Sequence, residues 1–547
     1  MKNSPVIIVG SGLSGMMAAL RLAESQIPVT LISMQPPLGS ATVTSHAGIN
    51  AALPQNDWGD TPEKHVEETL ALGQERGNRL LVQEMTEYAP VLLQFLQRLG
   101  IPFEKTVEGS LYPRPEGGTK TYRSYFAGGM TGQRVVEALA RQIFFYEEKG
   151  LIERFVSWEF LSLIRNDRGV GVGVMAYHLP TMEIRPFLGN GVIVATGGFS
   201  SLWPLSPGCI HNDGVALARM FQDGVALTNL DTFQYQLGAL PLAKKSLGIT
   251  PALLSEGARF FILKDKKPWY FLEERAPRTK NRTSFREAIH FYHHICEEYG
   301  TRLSGLFVDV THRPSDRLQK SLADLLKTIQ KLTSINPIEQ VISVQPLVSE
   351  TLGGVWTDEH LQTTIPGVLA CGSALGVLHG TAALESNLML GSLYTGLKAA
   401  NETLLSLSQR RKMVLPTQQQ LDIWVKKEHR YLHQLLEQKG KERPFAFLDE
   451  LRSFVSVYSE SEILLEGFSK LNLLKEKLKN ISLTDKSLAF NEELLLARRL
   501  PDLILLVENM LLSRQHRRQT TSPDQSIRLI WEKVSQKSDH VIAAENS

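Results

Sequence analysis

The segment Val6-Ile7-Ile8-Val9-Gly10-Ser11-Gly12-Leu13-Ser14-Gly15 constrains this chain more than any other. Four apolar residues that read as a buried strand run straight into G-x-G-x-x-G, and Met16 to Ala23 then read as a helix. Each glycine answers a steric demand. Gly10 permits the tight turn, Gly12 lets a pyrophosphate approach the backbone, and Gly15 lets the helix lie close to the strand. The helix N-terminus then faces the phosphates with free N–H groups. Glycine-rich turns also occur for purely structural reasons, so a second segment matters. Ile365-Pro366-Gly367-Val368-Leu369-Ala370-Cys371-Gly372-Ser373 is a late strand ending in Gly-Ser that asks for the same dinucleotide.

At 547 residues the chain is too long for one core and calls for several domains. Its 59 basic and 57 acidic residues nearly cancel, which gives no electrostatic footprint for nucleic acid or an anionic membrane. Cys209, Cys296 and Cys371 are widely separated and form no C-x-x-C, so these cysteines alone cannot build an iron–sulfur cluster or a zinc knuckle. No metal site is expected. The cysteine pattern, and an N-terminus without signal-peptide character, suggest a reducing cytoplasm. The most apolar late stretch, Leu503 to Leu512, is interrupted by Glu508 and Asn509, and no run has the length of a membrane span.

Along the chain, a second strand is expected at Pro28 to Ile32. At its end, where a carboxylate would accept ribose hydroxyls, stands Ser33. The small-residue segment Gly39 to Asn50 follows, and then a helical region with Glu63, His65, Glu67 and Glu68 expected on its wet face. Gly191 to Gly198 reads as a strand buried on both faces. From about Gln236 to Val344 the texture turns to mixed, charged helices and loops, which suggests an insertion. Sheet texture returns at Gly353 and leads to a long helix near Ser392 to Leu404. Beyond Ser406 the chain is helix-rich, with Leu451, Phe454, Val455 and Tyr458 on one helical face. The reading is an α/β Rossmann-type domain in two parts, 1–235 and 346–405, with an inserted capping domain at 236–345 and a C-terminal helical domain at 406–547.

Several of these segments together resemble the flavoprotein subunits of succinate dehydrogenase and fumarate reductase and their relative L-aspartate oxidase. The resemblance spans nearly the whole chain. It rests on GSGLSG at 10–15, SHAGINAAL at 45–53, GGTKTYRSYFAGGMTGQ at 117–133, VATGGFSSLW at 194–203 and NDGVALA at 212–218. It continues through LLSEGAR at 253–259, TLGGVWTD at 351–358 and IPGVLACGSALGVLHG at 365–380. The resemblance implies FAD as cofactor. Its contacts would come from Gly10, Ser11, Gly12, Leu13, Ser14 and Gly15, from Ser33, Ser40, Gly48 and Ile49, and from Thr196, Gly197, Gly198 and Asp213. Gly372, Ser373, Ser386 and Asn387 complete the set. Where the respiratory subunits attach FAD through a histidine, this chain has Ala41, so the FAD is expected to be non-covalent. Ala41, Ser33 and His-Val-Glu-Glu-Thr-Leu at 65–70 look more like the aspartate oxidase branch.

In that family flavin N5 exchanges hydride with a C4 dicarboxylate held by histidines and arginines. Two carboxylates taken out of water need cations or strong donors. Here the family's positions read Gln236 and Ser349 for the histidines and Ala383 for an arginine. What the resemblance retains is Glu256 and Arg259 in the substrate lobe, Arg286 as the proton-handling arginine with Arg278 as the competing position, and His379 beside the flavin ring. Arg259 and Arg286 also read as salt-bridged surface arginines, and His379 as a packing histidine. His46 stands for a family glutamine, without a catalytic assignment. A trace of the family's tail motif survives in Ser513 to Arg518. The implied function is an FAD-dependent oxidoreductase closest to L-aspartate oxidase or fumarate reductase, acting on a small organic acid or amino acid other than the standard dicarboxylate. A true aspartate oxidase of NAD biosynthesis and a catalytically silent flavin-binding subunit are the alternatives, with an electron-transfer partner subunit left open.

Overall fold

The computed structural model describes residues 4–53, 59–114, 121–242, 245–249, 256–275, 303–409, 414–459 and 464–519, with positions 253, 289, 291, 292, 294, 295, 298 and 299 between them. Its centre is a five-stranded parallel sheet in the order Val368–Ala370, Val192–Val194, Val6–Val9, Val29–Ser33, Ile152–Val156. The first four of these strands are buried along their whole length. Their unbroken Val/Ile/Leu runs are what burial on both faces demands. The strand order reverses at Val6–Val9, so a crevice opens beyond the carboxyl ends of Val6–Val9 and Val192–Val194.

Helix Leu13–Glu24 starts at once after the glycine turn, earlier than Met16. It packs beneath the long helix Glu385–Gln409, which extends past both ends of the expected 392–404. A three-stranded antiparallel sheet, Trp158–Arg165, Gly171–His178 and Ile184–Leu188, abuts the parallel one.

A separate six-stranded antiparallel sheet carries its own core. Its order is Lys245–Ile249, Phe233–Leu242, Ile342–Thr351, Leu303–Asp309, Arg259–Lys264, Lys267–Trp269. Phe260, Ile262, Leu306 and Val308 pack there against Leu318 and Leu325 of helix Ser315–Thr333. Its strands reach back to Phe233 and forward to Thr351, and so run into the parallel-sheet region at both ends.

After Gln409 come the helices Gln418–Glu437, Pro444–Tyr458, Leu464–Leu478 and Glu492–Gln519. Thr417 and Gln420 close a reciprocal capping box on the first of these. Leu451, Phe454, Val455 and Tyr458 are all buried, on the helical face their spacing indicates. These helices share one continuous apolar core with the parallel sheet. Among the described residues, no helix is long and apolar enough to cross a membrane.

Candidate active site

The crevice at the strand ends is a cleft with about 1010 Å³ of open space. Gly10, Ser11, Gly12, Leu13, Ser14, Ser33, Ser40, Thr196, Gly197, Gly198, Asp213 and Ser373 line it. Gly10 has φ of 110°, and a Cβ there would lie 2.1 Å from the Ala195 carbonyl oxygen, so no other residue fits. Gly15 does not line the cleft. A Cβ on it would lie 1.9 Å from the Gly10 oxygen, so it acts by letting the helix close on the turn. Gly48, Ile49, Gly372, Ser386 and Asn387 are likewise not lining residues. Ile49 pairs with Tyr125, and Asn387 is fully buried below the cleft.

The residues present fit an anionic dinucleotide. Gly12 caps the helix Leu13–Glu24 without a side-chain acceptor, and its first turn holds no acidic residue. Its leading N–H groups are therefore free for phosphate. The Ser40 and Thr196 hydroxyls are buried at the cleft without hydrogen-bond partners. Ser33 and Ser11 both donate to the Gln35 carbonyl oxygen, at 2.8 and 3.0 Å. The serine at the carboxylate position thus pins the Gln35 backbone, and the Gln35 side chain lines the cleft. Sequence reasoning missed Gln35, Trp158, Glu159, Phe160 and His211, which line it too. Trp158 to Phe160 come from the antiparallel sheet and carry no glycine signature.

Glu159 joins the cleft to the terminal helix. Burial opposes its ionisation, but Arg499 and Arg219 outweigh burial and hold its pKa down at about 2. Arg219 donates to Glu159 at 2.8 Å and to Asp502 at 2.8 Å.

A second cleft, with about 640 Å³ of open space, meets the first at Ala41, which lines both. Its other walls include His46, Gln234, Gln236, Ser349, Glu350 and Glu385. Strand register explains how Ser349 and Glu350 reach the same cleft. Gln234 pairs with Glu350, and Tyr235 pairs with Val348, so Ser349 is the extra residue of a β-bulge. A regular strand would send neighbouring side chains to opposite faces, and the bulge re-aims one of them. Ser349 Oγ donates to the Gln234 carbonyl oxygen at 3.1 Å. The Gln234 amide in turn bridges to the Ala383 backbone, donating at 3.3 Å and accepting at 3.4 Å. Ser349 and Ala383 therefore meet at Gln234, two residues before Gln236 on the same strand. No lysine or arginine stands among the described residues that line this cleft.

The remaining expected residues lie elsewhere. Glu256 pairs with Arg317 at 2.7 Å, and Arg259 with Glu273 at 2.7 Å, its guanidinium 3.8 Å from the Tyr270 ring centre. None of the four lines either cleft. His379 is half-buried outside both lining sets, its buried Nδ1 is unpartnered, and desolvation lowers its pKa to about 4. Arg286, Arg278 and Ser255 lie outside the described residues.

The wet face expected of the 63–68 region is a correction. Helix Pro62–Leu72 keeps Glu63 and Glu67 in solvent but buries His65 completely, on the same face as Val66, Thr69 and Leu70. His65 is 2.8 Å from Asn387 Oδ1, which also accepts from Asn50 at 2.9 Å, so His65 Nε2 carries the hydrogen. Burial, with Arg123 nearby, lowers its pKa to about 3. Arg123, itself fully buried, pairs with Asp60 at 2.8 Å and with Glu68 at 3.0 Å. A polar residue at an apolar spacing was the only sequence signal for this network.

A family model described as FAD binding domain matches residues 5–389, and one described as Fumarate reductase flavoprotein C-term matches residues 449–521. The succinate dehydrogenase flavoprotein subunit of Bacillus subtilis is 30% identical over 528 residues, covering 95% of this chain and 90% of the relative. The fumarate reductase flavoprotein subunit of a Serratia species is 27% identical over 523 residues, covering 90% of this chain and 84% of the relative. The solved structure of Mycobacterium smegmatis Sdh1 in complex with UQ1 superposes with a TM-score of 0.81 at 21% identity, covering 93% of this chain and 86% of the other. The cofactor cleft, the order of motifs and these similarities agree: the chain belongs to the FAD-binding succinate dehydrogenase and fumarate reductase flavoprotein family and is an FAD-dependent oxidoreductase.

Proposed function

We propose that the chain oxidises or reduces a small organic acid or amino acid at the second cleft, in a manner closest to L-aspartate oxidase and fumarate reductase, and that succinate, fumarate and L-aspartate are poor ligands. When bound, FAD supplies the two-electron chemistry. The chain's own share is to hold the cofactor through the glycine turn and helix N-terminus, and to orient a substrate near Ala41. Ala41 offers no nucleophile, which supports non-covalent FAD.

One observation carries the reading. Gln234, Gln236 and Ser349 line a cleft with no lysine or arginine among its described lining residues, and Ala383 meets the Gln234 amide through its backbone behind them. Leaving one member of a buried ion pair unpaired costs about 3–5 kcal/mol, and a dicarboxylate here would meet no lysine or arginine among the described lining residues. The test is turnover by the purified yellow protein with succinate, fumarate and L-aspartate. The expected outcome is activity far below the roughly 1–1000 per second typical of enzymes. Turnover within that range for any of the three overturns the proposal.

A second reading, a silent flavin-binding subunit, is favoured by the engagement of Glu256 and Arg259 in ion pairs away from both clefts. The Bacillus and Serratia relatives are named as subunits, which supports an electron-transfer partner for this chain. Reoxidation of the reduced flavin by any member of a panel of unsaturated acids and imino acids separates enzyme from silent subunit.

A further inference from the structure

Among its described lining residues the second cleft holds two carboxylates and no lysine or arginine. Its titratable lining residues, among those described, are His46, Tyr235, Glu350 and Glu385. Glu350 stands apart from the others. Its Oε1 is buried and meets no hydrogen-bond donor. A buried carboxylate oxygen in that state is costly until a proton or a cation reaches it. Glu350 also stands at the wall between the two clefts. A Cβ on Gly198, which lines the cofactor cleft, would lie 3.3 Å from that same oxygen. His46 lines the same cleft, its Nδ1–H donating to the Gly129 carbonyl oxygen at 2.6 Å. Glu385, in the first turn of Glu385–Gln409, contributes a further carboxylate.

We propose that the second cleft takes a small organic cation, an amine whose charged nitrogen sits against Glu350. The proposal rests on the reading of this cleft as the substrate site. An ammonium beside Glu350 cancels its charge, whereas a lone carboxylate would add a negative charge beside two glutamates. Compounds with one amine and no second carboxylate fit the lining best. Glu350 also gives the binding a pH signature. Burial raises its pKa to about 7, against the opposing effects of the Ser373 hydroxyl and the Thr351 backbone. Across the strand pair Gln234 is neutral, Gly198 and Ser373 bring no charge from the cofactor side, and His46, Tyr235 and Glu385 are the other titratable groups among the described residues of the cleft. Pairing with an ammonium requires ionised Glu350. Amine affinity therefore rises with pH through about 7 and levels off above it.

The experiment uses the FAD-loaded protein and two probes of equal length, butylamine and butanoate, followed by the flavin absorption band and by calorimetry at pH 6 and pH 8. Butylamine is expected to saturate the protein, about tenfold more tightly at pH 8 than at pH 6, while butanoate does not saturate. Glu350→Gln keeps the shape and is expected to weaken butylamine binding by about tenfold or more at pH 8 and to abolish the pH dependence. Glu350→Asp keeps the charge and is expected to preserve the pH dependence. Butanoate binding as tightly as butylamine, no saturation by butylamine, or an unchanged pH response in FAD-loaded Glu350→Gln each overturns the proposal. A wild-type protein without a flavin band overturns the reading beneath it instead.

Discussion

Ala41 lies where the two clefts meet, and its methyl group cannot bond to a flavin. Acid precipitation is therefore expected to release all FAD into the supernatant, and flavin left in the pellet contradicts the assignment. Two desolvated histidines, one fully and one half-buried, set an acid response. His65 and His379 have pKa values of about 3 and 4, below the roughly 6.5 of an unfolded histidine. The unfolded chain thus binds protons that the folded one refuses. Their contribution to stability is complete above about 6.5 and is lost as pH falls toward 4 and 3. Melting temperature is expected to fall across that window, and His65→Gln, which can still donate to Asn387, is expected to flatten the fall. A wild-type slope retained in His65→Gln contradicts this. At this scale the glycines were legible, because a backbone with φ of 110° and no room for a Cβ admits one residue type. Glu350 was not. It directly precedes the TLGGVWTD segment, and only its buried, unpartnered oxygen distinguishes it from any surface glutamate.

The bulge at Ser349 and the terminal helix are the two elements on which the site depends. Apolar runs and glycine punctuation marked the parallel strands, because burial on both faces leaves a pattern that sequence preserves. A bulge leaves no such pattern. It is a matter of register between strands far apart in the chain, so the placing of Glu350 beside Ser349 appears only with the pairing Gln234 to Glu350. The inserted sheet was read as mixed helices and loops for a related reason: its two longest strands, Phe233–Leu242 and Ile342–Thr351, pair with each other across a long separation in the chain. Helix Glu492–Gln519 locks onto the cofactor region through Arg219, which is nearly inaccessible and holds both Glu159 and Asp502. Arg219→Met leaves Asp502 without its closest pairing in the core and is expected to cost about 3–5 kcal/mol of stability. Calorimetry should show the loss, with weaker FAD retention because Glu159 lines the cofactor cleft. Unchanged melting and FAD content would show that the network carries no such weight.

At the scale of the whole molecule, two devices connect three regions. One apolar core runs from the parallel sheet into the terminal helices. Ser513 and Arg517, the surviving trace of the tail motif, reach Asp231 at the foot of the strand that carries Gln234 and Gln236, with Arg517 donating at 2.7 Å and Ser513 at 2.7 Å. The tail is thereby tied to the strand that builds the second cleft. The frame for FAD was legible because it depends on backbone geometry. The proposed change of chemistry was legible only as replaced residues, at Gln236, Ser349 and Ala383, since their surroundings are set by tertiary contacts. The central claim is that the chain keeps the family's FAD frame around a cleft that no longer holds a dicarboxylate. Its most direct test is titration of the oxidised, FAD-loaded protein with succinate while the flavin absorption band is recorded. The account expects a yellow protein whose band shows no saturable change with succinate up to the millimolar range. A saturable shift at micromolar succinate would contradict it.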